Sequence, residues 1–160
     1  MIKLRARVLD EIKKHAEREY PLECCGLLIG RIEDEGRMRV ILETYPASNA
    51  WEDAGAFEHR RQVAPGDEGL TTHRMLIAPD DYRRAELAAV KRGLGVVGDY
   101  HSHPDHPTVP SQFDLEHSPW PGMSYIIVSV HKREAGDLRS WELEADRSRF
   151  TEEEIVLVQE

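Results

Sequence analysis

The segment His101-Ser102-His103-Pro104-Asp105-His106-Pro107-Thr108-Val109-Pro110-Ser111-Gln112-Phe113-Asp114 concentrates side chains that bind metals and move protons. His101 and His103 are two residues apart, a spacing that puts both imidazoles on one face of a strand. Two imidazoles and a carboxylate form the donor set of a catalytic zinc whose fourth position is left to water. Pro104, Pro107 and Pro110 predict a rigid, extended loop that swings the chain round to Ser111. Ser111 reads as a helix N-cap, with Asp114 in the place of the capping-box glutamate. Asp114 then lies one turn into the helix and can point back at the metal. Each feature alone has a plain reading: a surface His pair, an N-cap, its capping partner. A strand, an H-S-H, a proline loop and a Ser and Asp in helical register together point to metal-assisted hydrolysis.

The flanking sequence supplies elements to hold these groups. Leu4, Val8, Ile12 and Ala16 recur every four residues, which predicts an amphipathic helix over 4–18, ended by Tyr20-Pro21. Cys24 to Ile32 reads as a buried strand, Glu33 to Gly36 as a turn, and Arg37 to Tyr45 as an antiparallel partner. Residues 46–71 read as a long loop, and Thr72 to Ala78 as a short strand. Pro79, Asp80 and Asp81 open a helix that runs to about Arg92 and stops at Gly93. Leu94 to Ser102 is a central strand, Ser124 to His131 a strongly apolar one, and Glu134 to Asp137 a turn before a strand over Leu138 to Glu144. A final strand, Glu154 to Val158, is expected. Strands interrupted by two or three helices imply an α/β fold, a mixed sheet between helices, and 160 residues is one domain's length.

Composition excludes several classes. Asp and Glu number 30 against 21 Lys and Arg, a formal charge of -9, whereas a general nucleic-acid binder needs excess Lys and Arg for phosphates. No apolar run reaches the roughly 18 residues of a membrane span, and the first residues lack the apolar core of a secretory signal. The only cysteines, Cys24 and Cys25, are adjacent and point to opposite faces of a strand, so a bridge between them is not expected. A reducing cytoplasm is the default location.

His101-Ser102-His103, seven residues, Ser111, two residues, Asp114 resembles the H-[ST]-H-x7-S-x2-D motif of the JAMM (MPN+) zinc metallopeptidases. Their upstream glutamate, in a P-x-E-x-C-G setting, resembles Pro21-Leu22-Glu23-Cys24-Cys25-Gly26, followed by Leu28 and Gly30. Gly98-Asp99-Tyr100 before the motif and Pro121-Gly122-Met123-Ser124-Tyr125 after it look like the small bacterial and archaeal stand-alone members. The likeness spans residues from about 1 to 131. It implies a largely antiparallel mixed sheet flanked by helices, in the cytidine-deaminase-like sandwich of the MPN fold. It implies one Zn²⁺ on His101, His103 and Asp114 with water as fourth ligand. Glu23 would be the general base and Ser111 the donor to the oxyanion. By the same resemblance the substrate would be an amide at the C-terminal Gly-Gly of a ubiquitin-like or sulfur-carrier protein.

Two rival readings deserve weight. His101-x-His103-x-Asp105-His106 also spells the H-x-H-x-D-H of binuclear metallo-β-lactamase-like hydrolases, although that fold is generally longer and needs further ligands downstream, where only His117 and His131 remain. A non-catalytic MPN scaffold is the other, but such a scaffold has no reason to keep all five site residues. Cys24 and Cys25 read as packing residues and Glu23, taken alone, as a solvated residue at a strand start. Asp99 or Tyr100 could orient a ligand from behind. Trp51, Phe57, Arg60 and Arg61 in the long loop could form a docking surface.

Overall fold

The computed structural model describes residues 1–51 and 75–159. It opens with a strand where the periodicity predicts a helix: β1 (Ile2–Arg5) runs straight into α1 (Ala6–Glu19). Ile2 and Leu4 alternate inward as a strand requires, and Leu4 still shares one buried cluster with Val8, Ile12 and Ala16. A four-residue spacing therefore cannot distinguish a strand feeding a helix from one longer helix.

β2 (Cys25–Glu33) and β3 (Met38–Ala47) are joined by a 3-10 turn at Asp34–Gly36. Then come α2 (Pro79–Val90), β4 (Gly95–Pro104), α3 (Gln112–His117) and β5 (Ser124–His131). The chain finishes with β6 (Glu134–Leu143), β7 (Phe150–Glu153) and β8 (Ile155–Val158). The expected turn at Glu134 to Asp137 is strand instead. The reversal falls on Lys132 and Arg133, both at positive φ (48° and 72°), positions where Asn and Gly are the usual signal. Pro46 and Ala47 belong to β3, and Ile77 makes an isolated bridge to Asn49. The rest of the expected loop, 52–71, and residues 72–74 of the expected strand lie outside the described residues.

The strands form one mixed sheet in the order β7-β6-β5-β4-β2-β3-β1-β8. It is antiparallel except at β1–β3, β1–β8 and β4–β5. Helices pack on both faces. α1 lies against Leu28, Ile41, Tyr100, Ile126 and Val128, and α2 sets Ala85 and Ala89 against Leu27, Ile29 and Val96. The sandwich expected from the sequence is thus present. No helix among the described residues is long and apolar enough to cross a membrane.

Only Glu154 separates β7 from β8, yet these strands are opposite edges of the sheet. The sheet must therefore curl until its edges meet, closing around α1. A buried arginine clasps that closure. Arg39 on β3 donates to Glu142 of β6 (3.0 Å), to Glu153 of β7 (2.7 Å) and to the Gly122 carbonyl, and Glu153 also accepts from Ser140 Oγ (2.9 Å). Removing one member of a buried ion pair strands the other charge and costs about 3–5 kcal/mol. Arg39→Met is expected to lower unfolding stability by about that much, read from urea denaturation, and Glu153→Leu added to it should recover part of the loss. An unchanged midpoint in Arg39→Met would show that the clasp does not hold the fold.

Candidate metal centre

A bulge in β4 aims the site. Leu28 pairs with Gly98 and Ile29 with Val96, leaving Val97 as the extra residue. Val97 and Tyr100, three apart, therefore both face α1, while Val96 faces α2. Asp99 and His101 look out on the α2 side, among Pro79 and Tyr82. A regular strand would have turned them the other way, because a shift of one residue exchanges the two faces. Gly98 is required next to the bulge, since a Cβ there would collide with the Ser124 carbonyl oxygen.

β4 thus presents His101 and His103 side by side, with Nε2 atoms 3.1 Å apart and both rings buried. Asp114 arrives from the first turn of α3. Its Oδ1 lies 3.3 Å from His101 Nε2 and its Oδ2 3.4 Å from His103 Nε2. Zinc bonds of about 2.0–2.1 Å at tetrahedral angles put neighbouring donor atoms about 3.3 Å apart. Each of these three contacts is near that separation, with the two imidazoles meeting different oxygens of the Asp114 carboxylate. Tautomer chemistry agrees. His103 Nδ1 lies 2.7 Å from the Pro107 carbonyl, which can only accept, so the proton sits on Nδ1 and the Nε2 lone pair faces the other donors. Burial works to raise the Asp114 pKa, but the neighbouring His101 and His103 outweigh it and hold this carboxyl well below the usual range. A buried, charged carboxylate and two imidazoles fit a divalent cation.

The helix that carries Asp114 starts as the sequence predicts. Ser111 Oγ accepts from Asp114 N (3.1 Å), and Asp114 Oδ2 accepts from Ser111 N (2.6 Å), a complete capping box. Ser111 Oγ also donates to Asp114 Oδ2 at 2.7 Å. Trp51 braces this helix from below. It is fully buried, edge-on to Phe113 at 5.1 Å, so it is a packing residue and not part of a docking surface. Phe57, Arg60 and Arg61 lie outside the described residues. The proline loop is anchored too: Trp141 Nε1 donates to the Thr108 carbonyl (2.9 Å), and Thr108 Oγ1 to Asp137 (2.8 Å).

Glu23 comes from the other stretch of sequence and is 5% exposed, not solvated. Its carboxylate, His101 and His103 each offer a ligand atom, and these atoms lie within 4.8 Å of one another. The neighbouring backbone locks it there. Cys24 N donates to Ser102 Oγ (2.8 Å), Ser102 N donates to the Cys24 carbonyl (3.1 Å), and Cys25 pairs across the sheet with His101. Two carboxylates thus approach the imidazoles: Asp114 is in ion-pair contact with both, and Glu23 offers an oxygen within 4.8 Å of them.

Both cysteines are free and buried, and burial pushes the Cys24 thiol up to about 12 and raises that of Cys25 as well. Neither is a thiolate near neutral pH, which fits packing. Asp105 leaves the site altogether: it is half exposed, accepts from Tyr20 Oη (2.8 Å) and pairs with His131 (3.1 Å). That removes a ligand from the binuclear reading. Sequence reasoning missed three supporting groups, namely the Pro107 carbonyl, the Thr108–Trp141 anchor and Asn49, whose Nδ2 donates to the Glu23 carbonyl (3.4 Å). No residue-type signal marks a backbone carbonyl as an orienting acceptor.

Comparison with known proteins agrees with this geometry. A model of prokaryotic homologs of the JAB domain matches residues 5–144. The chain is 31% identical over 130 residues to a desampylase of Haloferax volcanii, spanning 81% of this chain and 78% of that protein. It is 33% identical over 120 residues to a protein of Thermus thermophilus named "Probable TtuB-protein conjugate cleaving protease", spanning 75% of this chain and 64% of the relative. A solution structure from Salinibacter ruber is similar at 38% identity and a TM-score of 0.70, over 99% of this chain and 92% of that one. Glu23, the paired imidazoles and the helix-borne carboxylate all fall within the matched span, and the chain belongs to the prokaryotic JAB-domain family.

Proposed function

We propose that this protein is a zinc-dependent isopeptidase or peptidase that hydrolyses an amide at the C-terminal Gly-Gly of a ubiquitin-like or sulfur-carrier protein. The convergence of Glu23 on the His101–His103–Asp114 cluster carries this reading. The names of the Haloferax and Thermus relatives support the class of substrate.

His101, His103 and Asp114 would hold one Zn²⁺, which when bound polarises the scissile carbonyl and makes water a nucleophile near neutral pH. Glu23 takes the proton from the attacking water and passes it to the leaving nitrogen, since its carboxylate stands beside the ligands without being needed as one. The Ser111 hydroxyl now donates to Asp114. Rotation about Cβ–Oγ redirects its proton to the oxyanion, while Oγ still accepts from Asp114 N and the Ser111 backbone N–H keeps hold of Asp114. Glycines at the scissile bond suit a donor set this deeply buried, because a side chain there would meet the walls. We place the reaction in the cytoplasm, where free thiols stay reduced.

The test is incubation of the zinc-loaded protein with the source organism's ubiquitin-like carriers extended at the C-terminus, read by intact mass. Cleavage after Gly-Gly, abolished by a chelator and restored by zinc, is expected. Cleavage that ignores the chelator would overturn the metal mechanism.

A further inference from the structure

His103 Nδ1 takes its direction from the Pro107 carbonyl, 2.7 Å away, so whatever fixes that carbonyl fixes the imidazole. The loop is poorly equipped to fix it unaided, because Pro104, Pro107 and Pro110 have no N–H to donate. Thr108, the next residue, is 3% exposed, whereas Val109 beyond it is 52% exposed, so the chain turns the threonine inward. β6 grips it at two points. Trp141 Nε1 donates to the Thr108 carbonyl (2.9 Å), and Thr108 Oγ1 donates to Asp137 Oδ2 (2.8 Å). The same Oδ2 accepts from Arg139 Nε at 2.9 Å, which steadies the carboxylate. Trp141 faces away from Leu138, three positions earlier on the strand, which packs with the α1 cluster. β6 lies two strands from β4 in the sheet, so the loop spans β5 to reach this grip.

A hydrogen bond at Nδ1 does two things for a ligating imidazole. It stops the ring from turning about Cβ–Cγ, which would swing the Nε2 lone pair away from His101 and Asp114, and it keeps the proton on Nδ1. Both depend on the acceptor staying where it is. We propose that Trp141 and Asp137 of β6 are positioning residues for the metal ligand His103. By holding Thr108 at its carbonyl and at its hydroxyl, they hold the adjoining Pro107 carbonyl and so set the direction of the His103 lone pair. The inference rests on the metal-site reading above. It transfers part of the control over metal affinity to a strand that supplies no ligand.

The experiment uses the full chain and reads zinc affinity by competition with a chelator of known strength, with no substrate present. Trp141→Phe keeps an aromatic ring but loses the N–H, and Thr108→Val keeps the outline but loses the hydroxyl that Asp137 accepts from. Each is expected to weaken zinc binding about 10-fold and the two together about 100-fold, the range of groups that support a ligand from behind. Thr108→Ser, which keeps both the hydroxyl and the carbonyl, should stay within about two-fold of the parent. Leu138→Ala controls for packing: it loosens the opposite face of β6 and is expected to lower the urea midpoint while leaving zinc affinity unchanged. Equal zinc affinity in the parent, Trp141→Phe and Thr108→Val overturns the proposal. So does a loss in Leu138→Ala as large as that in Trp141→Phe, which would make the effect one of general loosening. Should Trp141→Phe fail to fold, Thr108→Val against Thr108→Ser decides. If the parent itself binds no zinc, the metal reading of the site falls and this inference with it, whereas a parent that binds zinc beside unaffected variants removes this inference alone.

Discussion

Glu23→Gln is expected to lower amide cleavage by about 10²–10⁴-fold, the usual contribution of a positioned general base, with zinc content unchanged. The substitution keeps the size and a carbonyl oxygen but removes the proton-accepting charge. It should also leave the fold intact, because β2 is held by its backbone pairing to β3 and β4 and by the Cys24–Ser102 bonds rather than by this side chain. The informative comparison is between zinc stoichiometry after dialysis and single-turnover cleavage. Loss of cleavage with metal retained assigns Glu23 to proton transfer. Loss of metal would instead make Glu23 a ligand, an alternative left open by its closeness to His101 and His103. Full activity with metal retained would remove the base from the mechanism.

Much of this site is visible in the residue order because its parts are local. His101, His103, Ser111 and Asp114 sit on one strand–loop–helix unit, so their spacing encodes their geometry. The Ser111–Asp114 capping box forms as the spacing predicts. Ser124–His131 is a strand over its whole predicted length, since eight residues of near-continuous apolar character have little alternative. Glu23 is different. Residue types nominate it only through the family resemblance, and its approach depends on pairing between β2 and β4, a long-range contact that spacing does not contain.

What stayed hidden is long-range in the same sense. The bulge at Val97 reverses the facing of β4, yet nothing in L-G-V-V-G-D-Y marks which residue is extra. Trp51 sits in a stretch of mixed polarity and reads as loop, but α3 buries it. Arg39 looks like an ordinary solvent-facing residue of an alternating strand, and becomes a buried clasp only because the sheet curls until β6 and β7 reach it. β7 is only four residues, so short that the closure of the sheet is what makes it a strand, whereas β8 falls within the expected final strand, Glu154 to Val158. The sequence does carry Asp99 on the face of His101, two residues away, but its burial beside residues of α2 and α3 is a long-range outcome.

Asp114→Asn is expected to lose zinc as well as activity, with affinity falling by more than the roughly 10–100-fold typical of residues that merely support a ligand. Asp114 is the only carboxylate in ion-pair contact with both imidazoles among the described residues. Asparagine keeps the outline and one acceptor oxygen, so the capping box survives in part, and a lost cap costs about 1 kcal/mol. That is small beside the about 5–15 kcal/mol of a typical domain. The variant should therefore stay folded by circular dichroism and yet emerge from dialysis without metal. His103→Ala makes an independent check, because it removes a ligand without touching the cap. If both variants hold zinc as tightly as the parent, the close approach of His101, His103 and Asp114 has no bearing on metal binding. If Asp114→Asn unfolds while His103→Ala is folded and empty of metal, the His103 result alone fixes the site and Asp114 is left with its capping role.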